Sequence, residues 1–217
     1  MIRALLWDLD GVVVDSGRYH YEAYRDLLSK LGRDLDQDTF RDFFGRRNDD
    51  IIRSLFGDLS AEQISALSAE KEEIFRSKIA DRTEALPGAL ALMRRMNASD
   101  KRQTIVSSTP RANLQLILGS LGIRPLLQAI VGEEDVSLGK PDPQGFLLGA
   151  KLLETQPAEC LVLEDAPAGI TAAKRAGIPC IAVATTQHPD SLVDADLVVR
   201  SLEDPNIQEF LKRVSVP

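Results

Sequence analysis

Two carboxylates two residues apart close the first apolar run of the chain. Ile2, Ala4, Leu5 and Leu6 lead into Trp7-Asp8-Leu9-Asp10-Gly11, with Val12-Val13-Val14-Asp15-Ser16 behind. The residue types before Asp8, and Gly after Asp10, predict a buried strand that stops at the carboxylates and turns into a loop. In extended chain, residues i and i+2 point the same way, so Asp8 and Asp10 can both face the space off the strand's carboxyl end, roughly 6–7 Å apart. That gap suits one tetrahedral phosphoryl group. Two carboxylates so close in a partly dry place need a cation or a shared proton. Mg²⁺, which takes one or two carboxylates and leaves positions for phosphate oxygens, meets that need. A solvated turn is the plain alternative for a single Asp-x-Asp, since turns favour Asp.

The ends of the other apolar runs decide between the two. Thr104-Ile105-Val106 is followed by Ser107-Ser108-Thr109-Pro110, the weak strand Ala129-Ile130-Val131 leads to Lys140-Pro141-Asp142-Pro143, and Cys160-Leu161-Val162-Leu163 is followed by Glu164-Asp165. Helical stretches alternate with them: 88–97, one opened by Thr109-Pro110 with Pro in its first turn, Asp142–Leu153, Ala168–Ala176 closed by Gly177, and 202–214 at the end. Ile178–Ala184 and Leu197–Val199 read as further strands. This alternation predicts an α/β fold, a parallel Rossmann-like sheet with helices on both faces and ligands off the carboxyl ends of its strands. Asp8, Asp10, Ser107, Lys140 and Asp165 would then meet at one rim.

Each residue type has work in phosphoryl transfer, where positioning and charge neutralisation matter most. Asp8 could attack phosphorus as a carboxylate nucleophile, and Asp10 could protonate the leaving oxygen and then deprotonate the incoming hydroxyl. Glu164 and Asp165 could complete a metal shell, and Lys140 could hold the transferring group as a point charge. Ser107 could donate its hydroxyl, aided by backbone N–H groups at the helix start near Ser108 to Pro110. Singly these residues also read as a helix cap, a solvated lysine and a turn. Their joint order and their placement at strand ends set them apart.

Between the first strand and the rest lies a helical insertion. Tyr24, Leu27, Leu28 and Leu31 share a helix face before Gly32; Phe40, Phe43 and Phe44 close a short helix before Gly45; Ile51, Ile52, Leu55 and Phe56 form a third, ending at Gly57. Ser60-Ala61-Glu62-Gln63 is a capping-box pattern that opens a longer helix with Ile64, Leu67, Ile74 and Phe75 inward. The expected organisation is a core of residues 1–15 and 87–217 and a helical cap of residues 16–86.

At 217 residues and 44% hydrophobic, the chain can bury a sizeable core. Lys and Arg number 26 against 33 Asp and Glu, and the net charge of -7 argues against nucleic acid or anionic membrane as partner. With no leader-like or membrane-spanning run, the expected location is cytoplasmic, and the expected state a monomer or weak dimer. Cys160 and Cys180 each begin an apolar run and read as buried free thiols, not zinc ligands. Trp7 reads as packing, and His188 as a surface-loop residue without a role.

The same motifs carry a family resemblance. Asp8-Leu9-Asp10-Gly11-Val12-Val13-Val14-Asp15-Ser16, Ser107-Ser108-Thr109, Gly139-Lys140-Pro141-Asp142-Pro143 and Leu163-Glu164-Asp165-Ala166-Pro167-Ala168-Gly169-Ile170 resemble the four motifs of the haloacid dehalogenase superfamily, over almost the whole chain. The insertion resembles the helical cap of its β-phosphoglucomutase and phosphatase branch. The resemblance implies Asp8 as nucleophile, Asp10 as acid/base, and Mg²⁺ on Asp8, the carbonyl of Asp10, and Asp165, with Glu164. Asp at position 10 disfavours carbon–halogen hydrolysis, a branch that lacks this second Asp.

In the cap, His20, Gly45 and Lys71 resemble the mutase, but Gly45-Arg46-Arg47-Asn48 departs from it, since the mutase has Arg where Asn48 falls. Arg46 or Arg47 then either replaces that Arg, gripping a second phosphate or a carboxylate, or is simply solvated. His20 is likewise either a site residue or an ordinary helix-face residue. The function expected is a Mg²⁺-dependent phosphohydrolase acting on a small phosphorylated metabolite through an aspartyl phosphate. The alternatives are a sugar-phosphate mutase and, more distantly, a phospho-accepting signalling switch.

Overall fold

The computed structural model describes residues 1–43 and 45–214. A six-stranded parallel sheet is formed by β1 (Ala4–Trp7), β2 (Arg102–Val106), β3 (Ala129–Val131), β4 (Cys160–Glu164), β5 (Cys180–Val183) and β6 (Leu197–Val199), in the order β3-β2-β1-β4-β5-β6. β1 is central, so its four residues are fully buried and read as one continuous apolar run.

Alternate residues serve opposite faces. Leu5, Trp7, Ile105, Leu161, Leu163 and Ile181 pack under α5 (Ala89–Ala98) and α6 (Arg111–Leu121), together with α9 (Asn206–Arg213). Ala4, Leu6, Val106, Val162 and Ala182 pack under α7 (Gln144–Leu152) and α8 (Pro167–Arg175). Cys160 and Cys180 are free thiols buried in that second layer. Trp7 is a packing residue, and its Nε1 donates to Gln103 Oε1 at 3.1 Å. Gln103 is buried too and its Nε2 donates to the Met93 carbonyl at 3.0 Å, which is how β2 can begin with polar residues ahead of Thr104. The last helix starts at Asn206 and not near 202, because the residue before a proline, here Asp204 before Pro205, is kept out of the helical region. For α6, Pro110 stands at the N-cap and the first turn begins at Arg111.

Helices α1 (Gly17–Lys30), α2 (Gln37–Phe43), α3 (Asn48–Phe56) and α4 (Ala61–Ile79) lie between β1 and α5 in the chain. They enclose their own apolar cluster of Tyr24, Leu28, Leu35, Phe40, Ile51, Ile52 and Ile64. After α1 ends, Gly32 takes the left-handed conformation at φ +68, and the Ser60–Gln63 capping box is formed in both directions. Phe44 falls outside the described residues. On α4, Ile64 and Phe75 face inward as expected, whereas Leu67 and Ile74 are only partly buried and Lys71 and Glu72 are buried in their place. The chain enters and leaves this helical block through two segments that run side by side, bridged at Val14 and Ala85: Asp15 N–H donates to the Glu84 carbonyl at 3.0 Å and Leu86 N–H to the Val13 carbonyl at 2.9 Å.

Candidate active site

Parallel register sets the rim. Trp7 pairs with Ile105 on one side and Leu163 on the other, so Asp8 comes level with the ends of β2 and β4. Lys140 reaches the same place from the loop between β3 and α7. Its Nζ lies 2.5 Å from Asp8 Oδ1 and 2.5 Å from Glu164 Oε1, above the Phe146 ring. Asp8, Glu164 and Asp165 are all buried, and each offers a carboxylate oxygen within 4.8 Å of the others. Glu164 Oε2 accepts the backbone N–H groups of Asp165 and Ala166 at 3.0 and 3.3 Å. Asp165 Oδ2 accepts the Thr186 hydroxyl, and Asp165 Oδ1 is buried with no partner among the described residues.

Two glycines make room for this cluster. Gly11 holds φ +82, and a Cβ there would lie 2.0 Å from Asp165 Oδ2; a Cβ on Gly169 would lie 1.9 Å from the Glu164 carboxyl group. Three buried carboxylates thus face one ammonium. Burial would lower Lys140, but Asp8 and then Glu164 hold it above its ordinary value, so it is charged. Burial first, then the charges of Glu164 and Asp10, push the Asp8 carboxyl up to about 8 against the pull of Lys140. Burial, then Asp8 and Glu164, raise Asp165 as well. An excess of buried acidic groups and one carboxylate oxygen without a partner among the described residues fit the hard oxygen donors that a divalent cation takes.

Asp10 is held differently. Its Oδ1 accepts the Ser16 hydroxyl at 2.5 Å and faces His20 Nε2 at 3.2 Å, and its Oδ2 accepts the Thr109 hydroxyl. Burial alone would raise this carboxyl, but the His20 ring and the bonds from His20, Ser16 and Thr109 outweigh it and hold Asp10 below the usual carboxylate range. Both side-chain oxygens are committed, so only the main-chain carbonyl of Asp10 is left as the metal contact the resemblance implies. His20 stacks on Phe75 with centroids 3.9 Å apart, and its Nδ1 lies 2.8 Å from Lys71 Nζ. An ammonium only donates, so Nδ1 accepts and the Nε2–H is directed to Asp10.

A cavity of about 40 Å³ between sheet rim and helical block is lined by Asp8, Asp10, His20, Arg46, Lys71, Ser107 and Ser108, among others. It has room for a few water molecules and none for a sugar phosphate. The remaining predicted residues lie beside it. Lys140 and Arg47 line a neighbouring cavity of about 20 Å³. Arg47 leaves the substrate space and crosses to the lysine loop, with Glu133 Oε1 at 3.3 Å and the Ser137 carbonyl at 3.2 Å. Ser108 Oγ donates to the Gly45 carbonyl at 3.2 Å, a second tie across the same seam.

The helix start after β2 offers fewer donors than its sequence suggests. Thr109 N–H is directed to Ser107 Oγ at 3.1 Å, Pro110 has none, and Arg111 N–H is capped by the Glu134 carboxylate at 3.0 and 3.1 Å. Thr109, Thr186 and Glu72 are the site residues that sequence reasoning passes over. The two threonines lie next to polar residues after strands, a signal too common to use. Glu72 sits on a helix whose apolar spacing gives no hint that it is inside.

Carboxylates and one lysine gathered on a sheet rim beneath a helical block are the residue types that phosphoryl transfer uses. Residues 5–183 match the model of the haloacid dehalogenase-like hydrolase family, and the chain belongs to it. It is 31% identical to validoxylamine A 7'-phosphate phosphatase of Streptomyces hygroscopicus subsp. limoneus, covering 94% of this chain and 96% of that protein. It is also 31% identical to beta-phosphoglucomutase of Bacillus subtilis (strain 168), covering 95% and 93%. The structure of beta-phosphoglucomutase (pgmB) from Clostridium difficile superimposes with a TM-score of 0.90 at 28% identity, covering 99% of this chain and 97% of that one.

Proposed function

We propose that the chain is a Mg²⁺-dependent phosphohydrolase that cleaves a small phosphorylated metabolite through an aspartyl phosphate on Asp8. The observation that carries this reading is the site's charge: three buried carboxylates around one lysine, with Asp165 Oδ1 left without a partner among the described residues. Mg²⁺ held by Asp8 and Asp165, beside Glu164, would offset the repulsion between the Asp8 carboxylate and an incoming phosphate.

The Asp8 carboxylate attacks phosphorus as the ester P–O bond breaks, and Asp10 gives its proton to the leaving oxygen. Asp10 then takes a proton from the water that attacks the acyl phosphate, returning Asp8 to its carboxylate and releasing phosphate. Asp10 begins as an acceptor of Ser16, His20 and Thr109. The negative charge of the arriving ester raises the proton affinity of Asp10 by like-charge repulsion, and Asp10 takes up one proton from solvent as the ester binds, the proton it then gives to the leaving oxygen. Lys140 meets the charge that shifts between Asp8 and the phosphoryl group. Residues 16–86 act as a lid that parts to admit the ester and closes to limit water during the first step. Ser107 contributes a hydroxyl to the transferring group.

A sugar-phosphate mutase is the second reading, supported by the likeness to the beta-phosphoglucomutases. A panel of phosphorylated sugars, polyols and two-carbon acids, assayed with Mg²⁺ and with EDTA, separates the two. Stoichiometric phosphate release supports the hydrolase; interconversion of hexose 1- and 6-phosphates without net release overturns it. Asp8→Asn is expected to cut turnover by about 10⁴-fold or more with the fold intact, and unchanged turnover would remove Asp8 from the mechanism.

A further inference from the structure

We propose that Glu72 sets the substrate class of this site: its buried carboxylate turns away a second anionic group and selects a monophosphate ester whose far end carries neutral hydroxyls. This rests on the phosphohydrolase reading and deepens it.

Glu72, on α4, is only 5% exposed and lines the same cavity as Asp8 and Asp10, on the helical side. Its place there is built from both sides of the seam. Asn48 Nδ2 at 2.6 Å and Lys71 Nζ at 2.7 Å donate to Oε1, and Asn113 Nδ2, from α6, donates to Oε2. Arg76 donates to Asn113 Oδ1 at 3.0 Å, which fixes that amide with its NH₂ toward Glu72. Burial would raise the carboxyl, but Lys71, His20 and the Asn48 bond keep it below the usual range, so Glu72 is charged.

The donors beside Glu72 are already engaged. Lys71 serves both Glu72 and His20 Nδ1, and the Tyr24 hydroxyl donates to Asn48 Oδ1 at 2.6 Å. Arg46, the other cationic side chain lining the cavity, is partly exposed and lies against the Phe43 ring at 5.7 Å. A carboxylate has about four acceptor positions and Glu72 uses three, so the one left suits an O–H donor. A phosphate dianion or a carboxylate offers acceptors only. It would meet the charge of the buried Glu72 carboxylate, with the nearest ammonium already paired.

Glu72 also joins α4 to α6, and a purely structural tie would leave substrate choice unchanged. Substrate choice is therefore the readout. Phosphate release by the full chain with Mg²⁺ is measured from fructose 6-phosphate, fructose 1,6-bisphosphate, glucitol 6-phosphate and p-nitrophenyl phosphate. In the wild type, kcat/KM for the monophosphates should exceed that for the bisphosphate by about tenfold or more. Glu72→Gln should narrow this ratio by about tenfold, and Asn48→Arg, which adds a cation to the same wall, should do so independently. Cooperative urea melts establish that each variant is folded. A wild type that cleaves the bisphosphate within about threefold of the monophosphate, or folded variants that keep the wild-type ratio, would overturn the proposal.

If no ester, including p-nitrophenyl phosphate, is hydrolysed, the phosphohydrolase reading fails instead. The selection by Glu72 is then read from the wild-type thermal shift with the same ligands. Stabilisation by the monophosphate alone supports the proposal, and equal stabilisation by the bisphosphate overturns it.

Discussion

Replacing Lys140 with Met leaves the side-chain stem over Phe146 and removes the ammonium that lies 2.5 Å from both Asp8 and Glu164. Asp8, Glu164 and Asp165 are then buried together with no cation among them. Breaking a buried ion pair from one side typically costs about 3–5 kcal/mol, because the partner charge stays uncompensated. For a chain of this size that is roughly 6–20 °C in Tm. The loss should follow pH with a definite sign. Without Lys140 the Asp8 and Asp165 carboxyl groups titrate even further above their unfolded values, and Asp8 is already pushed up to about 8 in its presence. A carboxyl raised by folding destabilises the fold when it is ionised, and the penalty fades as pH falls toward the unfolded value of about 4. The difference between wild type and variant should therefore be largest at pH 8 and shrink at pH 5. Urea unfolding in EDTA at both pH values measures it, and excess Mg²⁺ should restore part of the loss at pH 8. A difference below about 1 kcal/mol at pH 8, or one that grows on acidification, would refute the charge accounting on which the site rests.

Protons and metal compete for the Asp8 carboxyl, which burial pushes up to about 8, so Mg²⁺ affinity measured by calorimetry should rise with pH and level off above that value. Stripping Mg²⁺ with EDTA should reduce phosphate release to background, and re-addition should restore it. Gly169→Ala should lower stability by about 1–3 kcal/mol in urea, although Ala favours helix, because its Cβ would lie 1.9 Å from the Glu164 carboxyl group. In His20→Ala, Asp10 loses the ring that does most to offset its burial, so its carboxyl rises and the alkaline limb of the kcat profile, where the acid that protonates the leaving oxygen loses its proton, should move to higher pH. An unmoved limb would mean that Asp10 is not the group reporting there.

The sheet was legible because β1 and β4 sit at its centre, and strands buried on both faces announce themselves as unbroken apolar runs ending in charge. The family was legible from the same strand ends. The helical block was harder to read. Its helices were placed by Gly32, Gly57 and the Ser60 capping box, but the inward faces were read from apolar spacing alone, and α4 buries Lys71 and Glu72 where that rule expects leucine. A charge can be buried once its partners lie on other elements, and Asn48 and Asn113 are far away in sequence. Arg47 illustrates the converse. Next to Arg46 it reads as a second substrate contact, yet the chain direction after Gly45 carries it across the seam to Glu133. The roles of individual site residues are proposals that these variants test.

The paired passages at Val13–Asp15 and Glu84–Leu86 lie within a few residues of Asp10 and on the far side of it from β1, and they would be the pivot of the helical block in the proposed lid motion. Rocking of the block would therefore carry His20 and Ser16 relative to Asp10 while the sheet keeps Asp8 still. Asp10 and the side chains that hold it, Ser16 and His20, would then ride on different mechanical bodies, and opening the entrance would at the same moment loosen the grip on the proton.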